Sequence, residues 1–213
     1  MNKYSDQHIC DMVQWIRKHG TRCKHSHTIL SHPNCQPEII KDRLAFIDTE
    51  FFGRDADWGQ LLCWVIMDEA GKMWWDVRKG KNDKSVVKKC FDKLKDFDVI
   101  VHHYGRRCDW PYLLTRALIN DLEIPPRSAL RQIDLWRICR DRLSLGRNSQ
   151  AALSQALRKE SFNGGVDAYA WSKATFGNDK KALDQILNHC KIDTQELRLN
   201  YYGLKSQIGK ATP

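Results

Sequence analysis

No stretch of this chain approaches the roughly 20 consecutive apolar residues that a helix needs to cross a bilayer, which argues against a helical membrane protein. The first residues, MNKYSDQHICDM, hold no apolar stretch behind Lys3. A secretory leader is therefore not evident, and we expect an intracellular, cytoplasmic chain. Internal repeats and low-complexity tracts are missing as well, which sets aside repeat arrays and compositional linkers. Acidic charge is in short supply: 26 Asp and Glu face 35 Lys and Arg, for a formal net charge of +9. Such an excess favours polyanionic partners through attraction and counterion release. Without a leader, the eight cysteines do not read as a disulfide framework. Cys63, Cys90, Cys139 and Cys190 sit inside apolar patterns and read as small buried hydrophobes. A hydrophobic fraction of 42% over 213 residues is enough to fill the core of one medium domain, with room for a small appendage.

The periodicity divides the chain. In residues 6–18, Ile9, Met12, Val13 and Ile16 recur at helical spacing, with Ser5 or Asp6 as a cap and Gly20 as a stop. Residues 21–37 are rich in His, Cys and Pro. From Arg43 the pattern changes to strands: RLAFIDTEFF, QLLCWVIMD and KMWWDVR, with a turn over 69–72, predict an antiparallel meander. A helix over 84–95, the strand FDVIVHHY, a helix in WPYLLTRALIND with Pro111 in its first turn, and a strand-to-helix passage in ALRQIDLW follow. Ser149 caps a helix over 149–158, and a last helix over about 180–204 carries the stripe Leu183, Ile186, Leu187, Cys190, Thr194, Leu197 and Tyr201. The expected fold is α/β, with three antiparallel strands and then parallel strands in one mixed sheet flanked by helices. We expect an N-terminal helix and Cys/His segment at 1–40, the α/β domain at 43–206 and a tail at 207–213. Basic charge clusters in two places. Residues 78–95 hold eight basic and two acidic side chains, and 127–147 hold six Arg against Asp134 and Asp141.

Asp48 and Glu50 stand two apart on an otherwise apolar strand, so both project from one face. Adjacent, poorly solvated carboxylates repel each other, and a divalent cation would relieve both the repulsion and the desolvation. The alternative is that the pair lies at a wet strand end. Asp109 follows an apolar strand and a polar turn, where it could be a plain helix cap or could point across the sheet toward Asp48. His189 and Asp193 are four apart and share a face of the last helix, as an ordinary i, i+4 pair also would.

Taken together, Asp-x-Glu on the first strand, an Asp after the fourth and His-x-x-x-Asp on the last helix resemble the plan of the DEDD exonucleases. The likeness extends through LAFIDTEFFGRDADWGQLLCWVI, VIVHHYGRRCDWPYLLTRAL, QIDLWRICRDRLSLGRNSQAAL and ILNHCKIDTQEL, most of residues 43–204. These stretches resemble the ribonuclease H-like 3′→5′ exonuclease domains of prokaryotes and their viruses. The resemblance implies Asp48, Glu50, Asp109 and Asp193 as ligands of two Mg²⁺ or Mn²⁺ ions about 3.5–4 Å apart, with His189 as general base. It implies a structural, outer role for Asp134. The partner it implies is nucleic acid, as single-stranded or frayed 3′ ends. Three positions depart from the family pattern. The His189–Asp193 spacing is that of the subgroup with a catalytic Tyr, Tyr104 stands where Asn is frequent, and Cys108 where Phe is frequent. These bear on the placing of water and the 3′ end, not on the four acids.

Residues 23–35, CKHSHTILSHPNC, offer a dense set of soft ligands. Cys23, His25, His32 and Cys35 can close a tetrahedral structural zinc site, with His27 competing for the place of His25. The alternative is a basic, His-rich loop. For the whole chain, the alternatives to a metal-dependent exonuclease are an inactive nucleic-acid-binding module of the same fold and a ribonuclease H-type endonuclease.

Overall fold

The computed structural model describes Val13, residues 42–124, 130–161 and 165–208. The 1–40 segment, with the candidate zinc ligands Cys23, His25, His27, His32 and Cys35, lies outside the described residues apart from Val13. So does most of the 207–213 tail.

Among the described residues, eleven elements follow one another: β1 (Leu44–Phe52), β2 (Gln60–Met67), β3 (Met73–Val77), α1 (Lys84–Leu94), β4 (Val99–His102), α2 (Asp109–Ile119), β5 (Arg131–Asp134), α3 (Leu135–Arg142), α4 (Gln150–Arg158), α5 (Ala168–Phe176) and α6 (Lys180–Ile208). They build one five-stranded sheet in the order β3-β2-β1-β4-β5. The first three strands pair antiparallel, and β4 and β5 join parallel to β1. The expected mixed sheet is thus present, and β1 is its central strand. Such a strand must be apolar on both faces, as LAFI is, until it reaches the end where the carboxylates begin.

Alternation sends Ala45, Ile47 and Phe51 into a core with α1 and α2. Leu44 and Phe46 turn the other way, toward Leu197, Tyr201 and Leu204 of α6. Further along that second face, Cys63 and Val65 of β2 pack on Ala182, Leu183, Ile186 and Cys190. The predicted stripe of α6 is buried along its whole length. This helix also runs past its expected end, to Ile208. Helix α5 has no counterpart in the sequence reading. Only Ala170 and Ala174 are buried on it, so its apolar signal is weak, and Asp167 caps it by accepting from the amides of Tyr169 and Ala170.

At the start of α1, Asp83 does not cap the helix. Fully buried, it accepts from Leu61 N at 2.8 Å, from Arg116 Nε and Nη2 at 2.8 Å each, and from Asn120 Nδ2 at 2.9 Å, tying β2, α1 and α2 together. No helix among the described residues is long and apolar enough to cross a membrane.

Candidate metal centre

Strand β1 delivers Asp48 and Glu50 to the face that α6 covers, opposite Val65 and Cys63 of β2. The register slips between Glu50 and Phe51, so β2 is bulged at Leu62 beside the carboxylates, a common device for aiming side chains near a site. Helix α6 crosses above and brings His189, Cys190 and Asp193. His189 Nε2 lies 3.7 Å from Glu50 Oε1 and 3.5 Å from Asp193 Oδ2. Ligand atoms of Glu50, His189 and Asp193 fall within 4.8 Å of one another, and so do those of Asp48, Glu50 and Cys190. Glu50 belongs to both triads.

Burial and mutual repulsion push these acids up. Asp48 is raised well above the usual carboxylate range, first by burial, then by Glu50, Asp109 and Asp193. Glu50 is pushed up to about 9, by burial and by neighbouring Cys63, Asp193 and Asp109. Burial also raises Asp193, against the opposing pull of His189. Among the described residues, Asp48 Oδ2, Asp193 Oδ1 and His189 Nδ1 are buried without a hydrogen-bond partner. Orphaned acceptors of this kind are rare in folded proteins. Two unpartnered carboxylate oxygens, on Asp48 and Asp193, among raised carboxylates fit a divalent cation, which would satisfy them and restore their ionised state.

Asp109 opens α2 as its first helical residue. The cap position is Cys108, with no side-chain capping bond, so Asp109 is not the plain helix cap considered above. Its carboxylate accepts from Thr49 Oγ1 at 2.5 Å, and burial raises it despite that bond. Its charge reaches both Asp48 and Glu50, yet it stands in neither ligand-spaced triad. The structure therefore gathers Asp48, Glu50, His189 and Asp193 and sets Asp109 alongside them.

The sequence profile of the RNase_H superfamily matches residues 45–202. The chain belongs to this superfamily. A curated relative, a DNA polymerase of Methanocaldococcus jannaschii, is 29% identical over 103 residues, which make up 41% of this chain and 6% of the polymerase. Among solved structures, the family B DNA polymerase from the hyperthermophilic archaeon Pyrobaculum calidifontis superposes with a TM-score of 0.62 at 17% identity, covering 79% of this chain and 24% of that one. The chain thus spans only a small part of the length of either polymerase. What it shares with the solved structure is the fold, which is of nuclease type.

In this RNase_H superfamily chain, Asp134 ties the end of β5 to the turn after β4. It caps α3 through Trp136 N and accepts from Tyr104 N at 2.8 Å and Arg106 N at 3.3 Å, so it shapes the turn that delivers Asp109. His102, fully buried at the end of β4, is lowered to about 4 by burial. Its Nδ1 accepts from Gly105 N at 3.1 Å, so the nearby Asp134 carboxylate is no ion-pair partner. Tyr104 adopts φ 65, a left-handed conformation that favours Asn over an aromatic residue, which fits the departure noted at this position. Cys190 went unnoticed as a site residue because its place in the apolar stripe gives a core signal only. Its thiol donates to the Asp48 carbonyl at 3.4 Å. A groove of about 560 Å³, lined chiefly by Trp64, Trp74, Asp76, Lys89 and Lys93, opens elsewhere, at the β3 edge, and holds none of the expected site residues.

Neither basic stretch is a uniform surface. Arg78 is buried and donates to the carbonyls of Ala174 and Thr175 at 2.7 and 3.0 Å. Lys88, Lys89, Lys93 and Lys95 pair with Asp92, Asp76 and Asp96. In the second stretch Arg131 pairs with Asp42, and Arg137 and Arg140 with Asp141.

Proposed function

We propose that the chain is a metal-dependent 3′→5′ exonuclease that hydrolyses phosphodiester bonds of DNA or RNA, using Asp48, Glu50, Asp109 and Asp193 as metal ligands. The observation that carries this reading is the meeting of Asp48 and Glu50 with His189 and Asp193 across β1 and α6, with buried acceptors that nothing among the described residues satisfies. Membership of a superfamily with a nuclease-type fold, and likeness to polymerases of DNA, support nucleic acid as the substrate. Two Mg²⁺ or Mn²⁺ ions would lower the pKa of a bound water and offset charge building on the phosphate and leaving oxygen. The chain's own groups then divide the remaining work. Asp48 and Glu50 fix one side of the cradle from a rigid central strand, and Asp193 closes it from α6. Asp109, held by Thr49, would complete the set of acids, since its charge acts on both acids of β1. His189 Nε2 faces the space between Glu50 and Asp193, where it can accept the proton of an attacking water.

The test is incubation of 3′- and 5′-labelled single and double strands of DNA and RNA with Mg²⁺, Mn²⁺ or EDTA. A 5′-labelled strand should yield a ladder of shortening products that chelation abolishes. Efficient cutting of a closed circle would point to an endonuclease, and binding without hydrolysis to an inactive module. Either outcome overturns the proposal. We also propose one structural zinc held by Cys23, His32, Cys35 and either His25 or His27. The density of Cys and His supports it, and elemental analysis of protein purified without chelators should find about one zinc per chain.

A further inference from the structure

Helix α5 covers no large part of the core and turns two bare rings outward. Tyr169 is 67% and Phe176 75% exposed, an unusual display for large aromatic side chains. Between them stands Lys173, with Nζ 4.3 Å from the centre of the Tyr169 ring. Positions 169, 173 and 176 fall on one side of a helix, so the three side chains form a stripe about 10 Å long.

The stripe is continuous with the candidate metal centre. Phe176 meets Phe52 edge-to-face, with ring centres 5.0 Å apart. Phe52 lies two residues beyond Glu50 on β1, hence on the same face of the sheet. Basic residues distant in sequence converge on this end of α5. Arg78 binds the carbonyls of Ala174 and Thr175, which brings the exposed Lys79 beside the helix end. Gln60, the β-partner of Phe52, donates to the Lys81 carbonyl at 2.9 Å and holds exposed Lys81 close by. Lys180 and Lys181, both exposed, open α6 just after Phe176. The neighbouring acids Asp167 and Asp179 are committed to helix-capping amides, and Asp184 is the exposed acid on the next turn.

We propose that Tyr169, Lys173 and Phe176, rimmed by Lys79, Lys81, Lys180 and Lys181, form a track that holds a single strand of nucleic acid leading to the carboxylates. The occupant follows from chemistry. Lysines around a patch of exposed rings attract phosphates, and the rings offer stacking faces to successive bases. A duplex hides its base faces within its own stack and could use only the lysines, leaving the rings without a partner. The proposal rests on the nuclease reading for the direction in which the strand leads, but its test does not require hydrolysis.

The experiment measures binding of 5′-fluorescent oligothymidylate, oligouridylate and a blunt hairpin duplex to the full chain in EDTA, by anisotropy over a range of salt. Tyr169→Ser and Phe176→Ser should each weaken single-strand binding roughly five- to a hundredfold, the usual worth of one base–ring stack, and should affect the duplex little. Phe176→Trp should restore it. Lys173→Ala should lower the steepness of log K against log salt by about 0.7. Because both rings are exposed, these variants should unfold like the wild type, and thermal melts will show whether they do. Single-strand affinities within twofold of wild type in both serine variants would overturn the track, even if the protein cleaves DNA or RNA. Equal loss for duplex and single strand would overturn it as well. Ring-dependent binding in a protein that hydrolyses nothing would support the track and end the nuclease reading instead. An added oligodeoxyuridylate arm, compared with oligouridylate, tells which sugar the track prefers.

Discussion

Glu50 carries its carboxyl at about 9 in the metal-free fold because burial, Cys63, Asp193 and Asp109 all disfavour its charge. A raised acid has a definite consequence for stability. Between its ordinary value of about 4.5 and 9, the folded chain keeps a proton that the unfolded chain has lost. Metal-free protein should therefore lose stability as pH rises across that window, by up to about 1.4 kcal/mol per unit for each retained proton. Mg²⁺ or Mn²⁺ should reverse the trend by replacing the protons. Denaturant titrations from pH 5 to 9, with and without metal, measure this, and a flat metal-free profile contradicts it. The same logic applies to Asp48 and Asp193. Asp48→Asn and Asp193→Asn should abolish cleavage, yet leave the metal-free fold as stable as wild type or more so, because each removes repulsion from a buried cluster. His189 stands apart from the acids. His189→Ala should slow cleavage by roughly 10²–10⁴, the usual share of a general base, while metal affinity measured by calorimetry falls far less.

At the scale of elements, the site depends on how two helices are fixed to one strand. Helix α6 positions His189 and Asp193 because its apolar stripe fits the β1–β2 face. That stripe follows a 3.6-residue period and is readable in the sequence. Helix α2, which carries Asp109, is anchored differently, by the buried Asp83–Arg116 pair. Nothing in the spacing of residues 83 and 116 announces the pair, since it forms between an element start and a helix far along the chain. Arg116→Ala leaves Asp83 buried and uncompensated and should cost about 3–5 kcal/mol in a urea titration. Gly59 is constrained through its surroundings. A Cβ there would lie 2.0 Å from Tyr112 Oη and 2.2 Å from the Phe52 carbonyl, so Gly59→Ala should disturb the β1–β2 turn beside the site.

For the whole molecule, the net charge of +9 says less about binding than its distribution. The arginine-rich stretch is partly neutralised by Asp42 and Asp141, while Lys180 and Lys181 stand exposed at the start of α6, just after Phe176. Reversing Lys180 and Lys181 to Glu should therefore weaken nucleic-acid binding more than the same change at Arg137 and Arg140, although the total charge changes equally. Side-by-side salt titrations decide this, and equal losses would show that overall charge governs.

Local pattern determined much of this protein. The alternation in LAFIDTEFF, the tight turn before KMWWDV and the stripe from Leu183 to Tyr201 each carry their own period, so the strands, most helices and the mixed sheet were legible residue by residue. Asp48, Glu50, His189 and Asp193 were legible as candidates for the same reason, because short-range spacing sets the face on which a side chain stands. Contacts between distant segments were decided only in the tertiary structure. These include the bond that holds Asp109 to Thr49, the approach of the Cys190 thiol to the Asp48 carbonyl, and the burial of Arg78 within a basic run. Helix α5 and its exposed rings belong with them. Two buried alanines give too faint a period to read, and the lysines around Phe176 come from stretches that only folding brings together.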